Sequence, residues 1–245
     1  MTETRPFLPD SARARIGLVI MGTDEGGEVS FKQFLPSEVE VHTTRTGLDT
    51  EAYENGTFRP LSGFDAIGQA LPPAPRLDLI AFSCTSGSIM TGMDAMKGVF
   101  IKTHPGIPCI NPAGAALLGL RHLELSAPAL LTPYPEIVHD QVRTFLAENG
   151  LAPVADRTIE IFEDHLLSYI NPRYLIEVGQ PLVENAAADC LFISCTAFKI
   201  ADQLRAMANE IGVPVFSSSQ FMAWQALSQL RLPGAEDILK LGFPG

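Results

Sequence analysis

The stretch from Leu77 to Gly92, LDLIAFSCTSGSIMTG, decides the fold. Apolar residues run without a break from Leu79 to Phe82, and then a thiol, two hydroxyls and a glycine follow at Cys84-Thr85-Ser86-Gly87. A continuous apolar run suits a strand covered on both faces of a parallel sheet. The same pattern returns 111 residues later: DLIAFSCTSG at 78–87 aligns with DCLFISCTAF at 189–198, which puts Cys84 and Cys195 at matching points. A second pair follows, GIPCINPAGAALLGLRHL at 106–123 and GVPVFSSSQFMAWQALSQL at 212–230. Each reads as a Gly-x-Pro strand leading into a helix rich in alanine and leucine.

Working outward, strand-like runs occur at 15–21, 38–44, 77–83, 107–111, 127–133, 189–194 and 213–218. Helical periodicity fills 88–100, 113–123, 136–149, 173–188, 198–211 and 220–230. IGLVIMGT at 16–23 and PALLTPY at 128–134 match as the first strands of the two repeats. Strand–helix alternation with an internal repeat predicts an α/β protein of two Rossmann-like parallel-sheet domains. A pseudo-two-fold relates them, and the active site lies in the cleft between. The expected division is 1–120 plus 220–245 for the first half and 121–219 for the second, the C-terminal segment crossing back.

The chain has 245 residues and a formal net charge of −11, with 46% hydrophobic and 18% charged residues. That composition builds a full core. It supplies no basic stripe, which speaks against nucleic acid and against an anionic membrane surface as partners. A small anionic substrate is not excluded, because a local site has its own field. No apolar run approaches the roughly 20 residues of a membrane span. The start, MTETRPFLPDSARAR, has no hydrophobic core region. The expectation is therefore a cytoplasmic protein with reduced cysteines. Its four cysteines lack C-x-x-C spacing, so no metal site is expected.

In open α/β sheets, ligands bind beyond the carboxyl ends of the strands. Cys84 and Cys195 both fall at such ends, with Thr85-Ser86-Gly87 and Thr196 supplying hydroxyls and amides ahead of an expected helix. A helix N-terminus lowers a thiol's pKa, making each cysteine a thiolate or proton-donor candidate. Facing thiols remove a proton from one side of a carbon and return it on the other. Cys109 and Cys190 have no such context and read as core. Arg45 is a candidate clamp for a distal carboxylate or a solvated surface residue, and Asp164 with His165 either an orienting pair or a helix start. His42, His104, His122 and His139 show no ligand spacing, and Trp224 reads as helix core.

The pair Cys84-Thr85-Ser86-Gly87 and Ser194-Cys195-Thr196 resembles the aspartate/glutamate racemase superfamily. The likeness is strongest to its branch of maleate cis–trans isomerases, arylmalonate decarboxylases and the ectoine-utilisation protein A group. Ala14 to Glu25, Thr132-Pro133-Tyr134 and SSSQFMAWQAL at 217–227 fit that branch too. The resemblance implies no metal or organic cofactor, a small carboxylate substrate between Cys84 and Cys195 as the catalytic residues, and allows a homo-oligomer. It implies that Thr85, Ser86, Gly87, Thr196 and Ala197 bind the carboxylate, with Tyr134 donating to an oxygen. Asp24, beside Thr23, falls where the isomerases carry asparagine; as an acceptor only, it suits a substrate with a donor group. Cys84 stands where the decarboxylases have glycine. Ala197-Phe198 replaces the isomerases' asparagine with an aromatic wall, and Ser219 replaces another asparagine. The expected activity is an isomerase or racemase of a small carboxylic acid. The alternatives are a decarboxylase of malonate-like acids and a non-catalytic small-molecule-binding protein.

Overall fold

The computed structural model describes residues 10–57, 64–73, 76–92, 95, 98 and 100–245. Two four-stranded sheets carry the fold. The first contains β1 (Ala14–Met21), β2 (Val39–Thr46), β3 (Leu79–Ser83) and β4 (Cys109–Ile110), in the order β2-β1-β3-β4. The second contains β5 (Pro128–Thr132), β6 (Ala155–Thr158), β7 (Cys190–Ile193) and β8 (Val215–Ser217), in the order β6-β5-β7-β8. All pairings are parallel. The internal repeat in the sequence is thus a repeat of topology, and the chain is α/β with two equivalent sheets.

The apolar runs sit at the centres. Every residue of β3 and β7 is buried, whereas the edge strands β2 and β6 are largely half-buried or exposed. This explains why β6 escaped the reading of the sequence. Its residues, Ala155-Asp156-Arg157-Thr158, bury one edge only, so no apolar run marks them.

Helices cover the sheets: α1 (Gly27–Gln33), α2 (Thr50–Glu54), α3 (Phe64–Gln69), α4 (Thr85–Thr91), α5 (Pro112–His122), α6 (Glu136–Glu148), α7 (Pro172–Ala186), α8 (Leu204–Ile211), α9 (Ser218–Gln229) and α10 (Ala235–Lys240). A 3₁₀ helix spans Asp164–Tyr169. Several start where the sequence signals it. Asn111 and Asn171 accept first-turn amides and each precedes a proline at the first helical position. Ser217 and Gln220 close a capping box at the start of α9. From there α9 packs against α5, α1 and the first sheet. Trp224 is buried on it, its indole nitrogen 3.4 Å from Glu236 Oε1.

Two helix expectations need correction. The segment expected to be helical from 198 begins only at Leu204. Its leading carbonyls are taken by distant side chains instead: Ser219 Oγ donates to Thr196 O at 3.0 Å and Ser30 Oγ to Phe198 O at 2.7 Å. The helix expected over 88–100 starts earlier, at Thr85, and α4 stops at Thr91 before Gly92, whose φ of 89° suits only glycine. Most of 93–99, like the first nine residues, lies outside the described residues. Among the described residues, no helix is long and apolar enough to cross a membrane.

Candidate active site

Strand order fixes where the site forms. In each sheet the chain leaves the first central strand in one direction and the second in the other, opening a crevice at their carboxyl ends. In the first sheet this crevice lies between the ends of β1 and β3, where Met21–Asp24 and Cys84 emerge. In the second it lies between β5 and β7, where Tyr134 and Cys195 emerge. The two crevices share one cavity. It is lined by Met21, Asp24, Leu48, Tyr53, Ser83, Cys84, Thr85, Ser86, Tyr134, Asp164, Cys195, Thr196 and Ala197. Both cysteines of the repeat, drawn from sites 111 residues apart, are therefore walls of one space.

Each sulfur has a main-chain amide aimed at it. Cys84 caps α4 and accepts from Gly87 N at 3.3 Å, and Cys195 accepts from Ala197 N at 3.4 Å. Ser86 Oγ lies 3.8 Å from Cys84 Sγ and 3.2 Å from the Tyr53 hydroxyl. These contacts favour thiolates, but they do not prevail. Burial pushes the Cys84 thiol up to about 12, against its amide and hydroxyl contacts and with Asp164 and Asp24 adding to the rise. Cys195 is raised well above the ordinary thiol value by burial, again with both aspartates contributing. The sequence-based expectation of lowered thiol pKa values is overturned: withdrawal from water outweighs one amide apiece. Tyr53 and Tyr134 are likewise raised by burial and stay neutral hydrogen-bond donors.

The threonine hydroxyls stitch the halves together. Thr196 Oγ1 donates to Ser83 O at 3.3 Å, and Thr85 Oγ1 to Ser218 Oγ at 3.0 Å. Thr85 and Ser86 stand in the first turn of α4, where backbone amides find no carbonyl within the helix and can serve a ligand. Gly87 does not line the cavity. It serves the cysteine instead, because a Cβ there would sit 2.9 Å from Cys84 Sγ. A close approach also demands Gly26, where a Cβ would lie 1.7 Å from Ala197 O.

Asp24 holds a turn and faces the cavity. Its Oδ1 accepts from Gly26 N at 2.8 Å and Gly27 N at 2.6 Å, fixing the turn into α1, and its carboxylate is also a wall of the cavity. Burial raises its pKa. Thr23 turns aside, hydrogen-bonding Asp164 Oδ2 and lining a neighbouring cavity. Asp164 lines both spaces and also starts the 3₁₀ helix, whereas His165 is exposed and lines neither. Arg45 is not part of the wall of the cysteine cavity. Its Nη1 donates to the carbonyls of Met21, Gly22 and Asp24 at 3.2, 3.2 and 2.8 Å, holding the β1 loop from behind. Phe198 is core and not an aromatic wall of the cavity.

Sequence reasoning missed Tyr53 and Ser83. Tyr53 comes from α2, a five-residue helix too short to show a period. Ser83 precedes the cysteine and is fully buried, its Oγ without a hydrogen-bond partner among the described residues. The buried His139 also had no signal. Its Nδ1 meets Thr132 Oγ1 at 2.9 Å and its Nε2 meets Asp156 Oδ1 at 2.8 Å, bracing the end of β5 that delivers Tyr134.

Comparison with known proteins agrees with this geometry. Residues 76–238 match the family model described as arylmalonate decarboxylase. The chain is 29% identical over 197 residues to arylmalonate decarboxylase of Bordetella bronchiseptica, covering 77% of this chain and 80% of that one. The maleate isomerase of Pseudomonas putida, solved with maleate, superposes with a TM-score of 0.77 at 18% identity, over 94% of this chain and 98% of its own. The Nocardia farcinica maleate cis–trans isomerase with a covalently bound succinylcysteine intermediate superposes with a TM-score of 0.76 at 21% identity, over 92% and 98%. With a match that spans more than half of its length, the chain belongs to the arylmalonate decarboxylase family and is an enzyme of the aspartate/glutamate racemase superfamily.

Proposed function

We propose that the protein is a cofactor-independent isomerase or racemase of a small carboxylic acid, with Cys84 and Cys195 as its acid/base or nucleophilic pair. The observation that carries this reading is that both cysteines line one cavity, each with an amide directed at its sulfur. In the proton-transfer form, both cysteines rest as thiols, and the reacting state is the minor one in which one of them has given its proton to solvent and become the thiolate while the other stays a thiol. The substrate's α-proton passes to the thiolate, and the C–H electron pair moves into the carboxylate as an enediolate. The second thiol then gives its proton to the opposite face, so the two cysteines exchange roles and charge balances. Tyr53, Tyr134 and the amides of Thr85, Ser86 and Thr196 are the proposed donors to the enediolate oxygens.

In the covalent form, the thiolate adds to an alkene carbon, the resulting single bond rotates, and elimination returns the sulfur. The succinylcysteine in the Nocardia farcinica neighbour supports this variant. Decarboxylation of a malonate-like acid is a second reading, favoured by the Bordetella bronchiseptica relative. Loss of carbon dioxide leaves the same enediolate, and one thiol suffices to protonate it. On every version, 1–120 with 220–245 and 121–219 are taken as the halves between which substrate binds.

The test is solvent deuterium incorporation at the substrate's α-carbon or alkene carbons, followed by NMR, for wild type, Cys84→Ala and Cys195→Ala. Loss of turnover in each single variant supports the two-thiol reading. Unchanged turnover in both would end it, whereas binding without turnover by wild type would favour a binding protein of the same fold.

A further inference from the structure

Both cysteine motifs are bonded to a third segment, the start of α9. Thr85, next to Cys84, donates from Oγ1 to Ser218 Oγ at 3.0 Å. Ser219 Oγ donates at 3.0 Å to the carbonyl of Thr196, next to Cys195. Thr196 Oγ1 donates in turn to Ser83 O at 3.3 Å, on the other side of Cys84. Followed through the chain, these bonds close a circuit. It runs from Ser218 to Thr85, through Cys84 to Ser83, across to Thr196, and back through Ser219. The four hydroxyls in it all belong to buried residues. A buried, paired network fixes one geometry, because no water stands by to replace a lost partner.

The internal repeat shows that the two serines are not needed to start a helix. β4 leads into α5 as β8 leads into α9, with Asn111 and Ser217 as the matching N-caps. The next two positions are Pro112 and Ala113 in the first half, but Ser218 and Ser219 in the second. Proline and alanine carry no side-chain donor or acceptor, and α5 forms without one. The hydroxyls of Ser218 and Ser219 therefore serve something besides the helix. Their place in the fold says what. β8 is a strand of the second sheet, whereas α9 packs on α1, α5 and β3 of the first half. The crossing from one half to the other thus runs beside both cysteine motifs and is bonded to each. It is held from behind by the Ser217–Gln220 capping box and by Gln220 Nε2, which donates to Ile238 O at 2.8 Å.

We propose that Ser218 and Ser219 are positioning residues, a two-hydroxyl bracket that sets where the Cys84 and Cys195 sulfurs stand relative to one another. Neighbours in one helical turn keep a fixed spacing, so the two motifs they hold are spaced by the helix. Ser218 acts through Thr85 on Cys84, and Ser219 through Thr196 on Cys195; neither serine lines the cavity. The inference rests on the reading of the two cysteines as the reacting pair. It goes further by naming what spaces them, which matters because small misplacements of reacting groups are costly in rate.

Alkylation of the intact protein by iodoacetamide at pH 9, read by mass spectrometry for each cysteine peptide, tests this without a substrate. Cys190, buried in β7 and outside the circuit, reports opening of the whole fold. Ser218→Ala should raise the Cys84 rate, and Ser219→Ala the Cys195 rate, at least fivefold more than the Cys190 rate. Thr85→Val, close to threonine in shape, cuts the first bond from its other end and keeps the test standing if Ser218→Ala does not fold. It should reproduce the Ser218→Ala pattern, and the double variant should go no further, as expected for two ends of one bond. Rates at Cys84 and Cys195 that stay at wild-type values, or that rise in step with Cys190, overturn the proposal. So does a double variant whose two effects multiply. None of these failures touches the two-thiol reading, which stands or falls on isotope exchange in the cysteine variants.

Discussion

The two halves of the molecule present the same three residues, Ser-Cys-Thr, and build different surroundings for them. Ser83-Cys84-Thr85 runs straight into α4, so Cys84 is a helix cap and the first-turn amides follow it immediately. Ser194-Cys195-Thr196 runs into an irregular segment, and α8 begins only at Leu204. There the carbonyls of Thr196, Ala197 and Phe198 are met by Ser219, Gly26 and Ser30, all remote in sequence. Cys84 is half-buried and Cys195 buried. One thiol is therefore positioned by local helix geometry and the other by tertiary packing, and an identical local motif does not guarantee an identical micro-environment. The companions differ too: the loop after β1 brings an acid, Asp24, and the loop after β5 a phenol, Tyr134.

The largest expected difference comes from replacing each thiol by glycine. Cys84→Gly should lose isomerisation or racemisation by roughly 10²–10⁴-fold while Cys195 still protonates an enediolate from a malonate. Cys195→Gly should lose both activities. Product analysis with a malonate substrate checks this, and equal behaviour of the two variants would remove the proposed division of labour.

Next comes Gly26→Ala, which tests the tertiary support of the second motif. Its Cβ would meet a backbone carbonyl at 1.7 Å, a clash no side-chain movement relieves. A stability loss of about 3 kcal/mol or more is expected in urea melts, at the upper end for overpacking. Gly87→Ala, the local counterpart, comes closest to the Cys84 sulfur, at 2.9 Å, with its other neighbours at 3.4 Å or beyond. It should cost about tenfold to a hundredfold in kcat through displacement of that sulfur, with stability changed by about 1 kcal/mol or less. A fall in kcat without a fall in Tm is the result to look for.

Smaller effects follow from the raised thiols. With Cys84 at about 12 and Cys195 raised well above its ordinary value, both are neutral at pH 7. Alkylation by iodoacetamide should be slow there and quicken about tenfold per pH unit to pH 9. Cys84 should react before Cys195, and mass spectrometry of each peptide separates them. Stability moves the other way. A thiol at 9.0 unfolded and about 12 folded keeps its proton longer in the native state. The unfolded state then binds fewer protons, and stability falls as pH rises from about 9 toward 12. At pH 9 this amounts to about 0.4 kcal/mol for each of Cys84 and Cys109, measurable as a shallow decline in Tm.

The sequence by itself determined the architecture and the pair of cysteines. Leu79–Phe82 and Leu191–Ile193 are apolar without interruption because central parallel strands are buried on both faces, and that requirement is local and visible. Asn-Pro and Ser-x-x-Gln marked the starts of α5, α7 and α9 for the same reason, since caps act within one turn. The edge strand β6, the late start of α8 and the presence of Tyr53 in the site left no such trace. Each depends on partners far along the chain: β5 for the strand, Ser219 and Ser30 for the carbonyls, and Ser86 for the phenol. The thiol pKa values belong to this second group. Helix position in the sequence argues for lowering them, and only the packed cavity, which removes water and sets Asp24 and Asp164 nearby, decided that they rise.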